Sequence, residues 1–179
     1  RACHQRVVPA LHVREVGQLD PVFDFSRDGV RQSIDESLRR LGVDHLDVVH
    51  VHDPDDHEAQ ALDEALPALI ELRQQGVVGM VGCGMNQTAM LERFVDRVDL
   101  DCVLVAGRYT LLDRSAADTL LPLCAARGVA VIAGGVFNSG LLADPAPGAT
   151  FDYAAAPTAL LQRAQHLQRL CAEHGTSLT

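Results

Sequence analysis

Residues 45–56 read HLDVVHVHDPDD. Leu46 to Val51 has the aliphatic and β-branched density of a buried strand, but His50 and His52 interrupt it two residues apart. Alternate residues of a strand share a face, so both imidazoles point the same way. Pro54 and the acidic residues Asp53, Asp55, Asp56 and Glu58 end the strand. α/β folds place their chemistry where a buried strand gives way to such a polar loop.

On either side of this stretch, helix and strand take turns. RDGVRQSIDESLRRL, Arg27 to Leu41, spaces Val30, Ile34, Leu38 and Leu41 along one helical face, with Ser26 as the N-cap and Gly42 as the stop. EAQALDEALPALIELRQQ, from Glu58, reads as a second helix ended by Gly76, which Pro67 should break or kink. Next come a strand at Val77 to Cys83, a helix at Thr88 to Val98, a strand at Cys102 to Val105 and a helix at Ser115 to Arg127 with Pro122 inside it. A strand at Val129 to Ala133 and, after the loop GGVFNSGLLADPAPG, a helix at Pro157 to Glu173 complete the series. Connections are short and no hairpin signal intervenes, which implies parallel strands with right-handed crossovers. The strands are apolar almost throughout, as expected when both faces are covered. The pattern alone leaves open a doubly wound sheet or a (β/α)8 barrel. The sequence contains no GxGxxG after the first strand and no GxxxxGK[ST], so the nucleotide folds that carry those fingerprints lose support.

The 179 residues suffice for one ordinary domain, and 47% hydrophobic with 22% charged residues is a globular composition. A net charge of −9 with mixed signs in every block argues against a nucleic-acid or anionic-membrane partner. No apolar run approaches the ~20 residues of a membrane helix. The start, RACHQRVVPALHVREVG, has no signal-peptide pattern. Cys3, Cys83, Cys102, Cys124 and Cys171 have no CxxC spacing, so reduced thiols in a cytoplasmic protein are expected. All 15 basic residues are arginine, and lysine is absent. A start at Arg1 and an end at GTSLT suggest a piece of a longer chain.

The candidate site residues lie after the strands' carboxyl ends. His52 is either a catalytic imidazole or a histidine satisfied by the backbone. His50, one step deeper, reads as structural. Asp53, Asp55, Asp56 and Glu58 read as turn formers and as favourable charges at a helix start. A metal-dependent hydrolase using His50 and His52 is the alternative, weakened because the later loops bring neither histidine nor lysine. In the Gly-rich loop, the backbone amides and hydroxyl of Asn138, Ser139 and Gly140 suit a phosphate, while the same glycines suit a plain turn. Arg108 and Tyr109 are further ligand contacts to consider, Tyr109 equally as a cover for the mouth.

The phrases DGVRQSIDESLRRLGVDHLDVVHVHDPDD, VGCGMNQ, LVAGRYTLLDR and IAGGVFNSGLL, in this order and spacing, resemble the aldo-keto reductase superfamily. The likeness runs from about Phe23 to the end and is closest to the sugar-dehydrogenase branch, which includes the D-threo-aldose, L-fucose and pyridoxal dehydrogenases. It implies a partial (β/α)8 TIM barrel, about strands four to seven, as one incomplete domain over residues 1–179, with 1–22 poorly matched. It also implies NAD or NADP as cofactor and a sugar or alcohol as substrate. Hydride would pass between nicotinamide and a carbonyl or lactol carbon, assisted by an Asp, Tyr, Lys and His set. His52 falls on the family's histidine. Asn86 falls in or beside the segment that holds the nicotinamide carboxamide. Phe137, Asn138, Ser139, Gly140 and Leu141 fall in the loop that contacts the pyrophosphate.

The resemblance also implies departures. The family's Asp and Tyr precede Arg1, and neither Tyr109 nor Tyr153 matches the family's tyrosine position. Glu15, within LHVREVG, stands at or near the lysine, where an acid raises a phenol's pKa instead of lowering it. Gly84, Met85 and Ala106 replace Ser, Asn and Gln of many members. The 179 residues alone are therefore expected to give no turnover. Their unpaired strand edges are expected to make the isolated chain self-associate. A non-catalytic NAD(P)-binding barrel is a further alternative.

Overall fold

The computed structural model describes Leu11–His12 and residues 22–179. Four parallel strands form one sheet in sequence order: β3 (Leu46–His52), β4 (Val78–Met85), β5 (Cys102–Ala106) and β6 (Ala130–Gly134). The intervening helices are α1 (Arg27–Leu41), α2 (Glu58–Gln60), α3 (Leu66–Gln74), α4 (Thr88–Arg97) and α5 (Leu120–Arg127), with α6 (Thr158–Glu173) last. Consecutive strands are neighbours, as in the wall of a barrel, and the sheet remains open.

Local sequence sets the element ends. The Ser26 hydroxyl accepts the Gly29 N–H at 3.0 Å, and Gly42, at φ 66°, turns the chain out of α1 while its N–H donates to the Leu38 carbonyl. Val30 and Ile34 are buried as their spacing implies, whereas Leu41, about two turns further, is exposed. Between α2 and α3 the chain does not break at Pro67. Ala61–Ala65 form a π-turn in which the Leu66 N–H reaches back to the Ala61 carbonyl, and this widened turn lets the helix continue past a residue with no N–H. The helix expected at Ser115 divides into a 3-10 turn, Ser115–Ala117, and α5. Pro122 lies in the first turn of α5, where a missing N–H costs nothing.

The ladders give the sheet two faces. Val49 pairs with Val81, Val51 with Cys83, Cys83 with Val103 and Met85 with Val105. These residues are buried against Leu66, Leu69, Leu91 and Phe94 of the helices. The opposite, inner face carries Val48, His50, His52, Gly82, Gly84, Cys102, Leu104 and Ala106.

Two expectations are corrected. The apolar composition of β6 does not mean cover on both faces: Ala130, Val131 and Ala133 are exposed, because α6 packs on Leu112, Leu141 and Leu142 in a second, smaller cluster. Antiparallel pairing also exists. β1 (Leu11–His12) pairs with β2 (Val22–Phe23), and β7 (Thr150–Phe151) pairs with β8 (Ala154–Ala155). The β7–β8 turn is Asp152-Tyr153, both at positive φ (49° and 63°). Such a tight turn usually signals itself through Asn or Gly, and this one has neither.

Candidate active site

The inner face is built around two glycines. In the β3–β4 register His50 lies opposite Gly82 and His52 opposite Gly84, so the imidazoles lie over strand positions that carry no side chain. His50 is 3% exposed. Its Nε2 is 3.5 Å from the Cys102 Sγ, and its Nδ1 has no partner among the described residues. Burial, and then the proximity of His52, hold its pKa below the usual histidine value. It is a neutral, interior group. His52, two residues on, opens into a cleft of about 480 Å³ at the carboxyl ends of the strands.

Asp53, Met85, Asn86, Ala106, Gly107, Asn138 and Ser139 share that cleft with His52. These residues end or follow the four parallel strands, the position at which such sheets bind ligands. The Asp53 N–H donates to the Gly84 carbonyl at 3.0 Å and so extends the ladder by one step. Asp53 itself is at φ 43°, and its Oδ2 lies 3.5 Å from the His52 Nε2.

The loop after β6 has a left-handed run at Asn138, Ser139 and Gly140 (φ 47°, 56° and 89°). Asn138 is 2% exposed. Its Nδ2 donates to the Gly107 carbonyl at 3.0 Å, tying the loop after β6 to the one after β5. The Asn138 side chain therefore acts as a clamp and leaves the loop backbone to meet a ligand. The amides of Ser139 and Gly140 donate to no acceptor among the described residues. Two adjacent free N–H groups in a left-handed turn suit an anion such as a pyrophosphate, so this loop fits the dinucleotide expected from the sequence.

Two of the expected cofactor residues lie elsewhere. The side chain of Phe137, 45% exposed, faces a second cavity of about 470 Å³ together with Tyr109, Leu111 and Arg114. Leu141 is fully buried and anchors the loop in the second hydrophobic cluster. Asn86 follows the end of β4 and faces the cleft. Glu15 lies outside the described residues.

The β7–β8 hairpin, which the sequence reading missed, brings Thr150, Asp152 and Tyr153 to the cleft. Arg108 binds the Asp152 carboxylate through two N–H groups, at 2.7 and 3.2 Å, and lies 3.7 Å from Asp113. Arg108 is thus committed to holding the hairpin. No group of three or more His, Cys, Asp or Glu side chains placed to hold a metal ion occurs among the described residues. Nor is any helix among them long and apolar enough to cross a membrane.

Residues 13–179 match the aldo/keto reductase family model. The chain is 42% identical over 159 residues to the D-threo-aldose 1-dehydrogenase of Pseudomonas sp, covering 87% of this chain and 48% of that protein. It is 41% identical over 168 residues to the pyridoxal 4-dehydrogenase of Microbacterium luteolum, covering 88% and 49%. Among solved structures, the glycerol dehydrogenase of Gluconobacter oxydans superimposes with a TM-score of 0.68 at 20% identity, over 94% of this chain and 55% of that one. An aldo-keto reductase from Bacillus halodurans, in its holo form, gives 0.66 at 25% identity, over 83% and 49%. The chain belongs to the aldo/keto reductase family, and its four parallel strands are part of that family's barrel. It spans about half the length of the curated relatives it matches. The family match reaches back to residue 13, ten residues before Phe23.

Proposed function

We propose that this chain is the cofactor-gripping part of an NAD(P)-dependent dehydrogenase that oxidises sugars or related alcohols. The observation that carries the reading is the convergence on one cleft of His52, Asn86 and the Asn138–Gly140 loop from three different strand ends. The similarity to D-threo-aldose and pyridoxal dehydrogenases supports the choice of substrate class.

Each residue then has a physical task. The free amides of Ser139 and Gly140 hold the pyrophosphate, and the Asn138 clamp keeps the loop shaped for it. Asn86 pairs with the nicotinamide carboxamide. His52 donates a hydrogen bond to the oxygen on the reacting carbon and orients it. Bound NAD(P) supplies the hydride acceptor. Arg108 neutralises Asp152 beside the phosphate subsite, where an uncompensated carboxylate would repel the cofactor. The free, buried thiols of Cys83, Cys102 and Cys124 fit a cytoplasmic setting.

The experiment expresses two proteins: the 179-residue chain, and the reading frame extended on both sides in its source. Each is assayed for NAD(P)H formation with L-fucose and D-threo-aldoses. The extended protein would carry the Asp and Tyr that the resemblance places before Arg1 and is expected to turn over, and the 179-residue chain is expected to bind cofactor without turnover, since proton transfer needs a positioned acid or base. Cofactor binding without sugar oxidation by either protein would favour a non-catalytic NAD(P)-binding barrel. Absence of cofactor binding by both would overturn the proposal.

A further inference from the structure

Asp53 is in the wrong place for a residue that merely follows a strand. His52 occupies the inner face, and in an extended chain the next side chain points to the opposite face. Asp53 instead lies at φ 43°. A residue before proline favours the extended region, and a left-handed conformation costs any residue other than glycine. The effect of this backbone is to bring the carboxylate back to the inner side, 3.5 Å from the His52 Nε2 and into the same cleft. Its side chain is nearly half exposed, and His52 is its one ion-pair neighbour among the described residues. The acid is therefore available to a ligand.

A donor N–H and an acceptor carboxylate side by side match two adjacent oxygens of a polyol. One oxygen accepts from the imidazole, and the hydroxyl on the neighbouring carbon donates to the carboxylate. We infer that Asp53 is a specificity-determining residue that selects substrates with a hydroxyl on the carbon next to the reacting one. This rests on the dehydrogenase reading above, which left the substrate as a sugar or alcohol in general. A simple alcohol or a 2-deoxy sugar leaves the Asp53 acceptor unmatched, and a site built around a hydrogen-bonded hydroxyl rejects analogues that lack it.

The test compares binding of L-fucose and of 2-deoxy-L-fucose to the full-length protein by calorimetry, with a separate NAD+ titration. Asp53→Ala removes the acceptor. Asp53→Gly removes it as well and also relieves the backbone, so a failure to fold does not obscure the result. The wild type is expected to bind L-fucose at least about tenfold more tightly than the 2-deoxy sugar, and both variants should reduce that ratio to near one by weakening L-fucose. An unchanged ratio in the variants, or equal binding of the two sugars by the wild type, overturns the inference. The NAD+ titration judges the dehydrogenase reading independently: cofactor binding with no sugar discrimination defeats only the role of Asp53. Discrimination without cofactor binding defeats only the dehydrogenase reading.

Discussion

His50 stands directly across the ladder from Gly82, and a methyl group on Gly82 would fall 2.8 Å from the imidazole Cδ2 and 2.6 Å from the Cys102 carbonyl oxygen. The backbone oxygen cannot move aside without breaking the β4–β5 ladder. Gly82→Ala is therefore expected to destabilise the protein by about 2 kcal/mol or more. At Gly84 the same methyl would meet Leu104 Cβ at 3.5 Å and His52 Cδ2 at 3.9 Å, ordinary contacts, and Gly84→Ala is expected to stay within about 0.5 kcal/mol of the wild type. Urea denaturation of the two variants checks the contrast, and equal effects would contradict it.

Asp53→Gly is expected to stabilise the fold. The left-handed conformation that costs aspartate about 1 kcal/mol is open to glycine, although the greater entropy of glycine in the unfolded chain offsets part of the gain. A midpoint that shifts upward in urea while selectivity for L-fucose is lost would show strain retained for binding. A destabilised variant would mean that the Asp53 carboxylate supports the fold.

Stability should depend on pH through His50. Its folded pKa lies below the unfolded value of about 6.5 because burial, and then His52, disfavour the charged imidazole. Between the folded and unfolded values the unfolded chain binds the extra proton. This contribution is therefore complete above about pH 6.5 and declines as the pH falls toward the folded pKa, by at most about 1.4 kcal/mol per pH unit. Denaturation midpoints across this range should fall less steeply in His50→Gln than in the wild type. Parallel curves would contradict the assignment.

Thiol labelling should follow burial. Desolvation pushes Cys83 well above the usual range and Cys102 up to about 11, and it also raises Cys124, whereas Cys171 is partly exposed. Iodoacetamide at mildly alkaline pH is expected to modify Cys171 in the native protein, and Cys83, Cys102 and Cys124 only after denaturant is added, as read by peptide mass spectrometry. Early labelling of Cys102 would mean that the inner face opens.

Much of this architecture was legible because it rests on local signals. The Ser26 and Gly42 caps, the run of valines before His52 and the regular alternation of elements each announce themselves within a few residues. The likeness of AGGVFNSGLL to a cofactor loop pointed to a loop that does line the cleft, but it did not show what the side chains do there: Asn138 clamps Gly107, Leu141 is buried in a cluster and Phe137 faces another cavity. The Arg108–Asp152 pair spans 44 residues and joins two loops that no periodicity connects. Asp53 reads from sequence as a turn former beside a helix start, and nothing local announces the positive φ that brings its carboxylate beside His52. β6 reads as a covered strand by composition. Its exposure depends on where α6 packs, which is a tertiary choice.

In the proposed function, the cleft beside His52 holds a dinucleotide by the loop after β6. Hydrogen–deuterium exchange with and without NAD+ reads this binding at the loop itself, because the Ser139 and Gly140 amides have no acceptor among the described residues and should exchange freely until a phosphate takes them. Slowed exchange at Ser139 and Gly140 together with Asn86 is the predicted result. Unchanged exchange in these segments at saturating NAD+, or protection confined to the cavity around Tyr109 and Phe137, would contradict it.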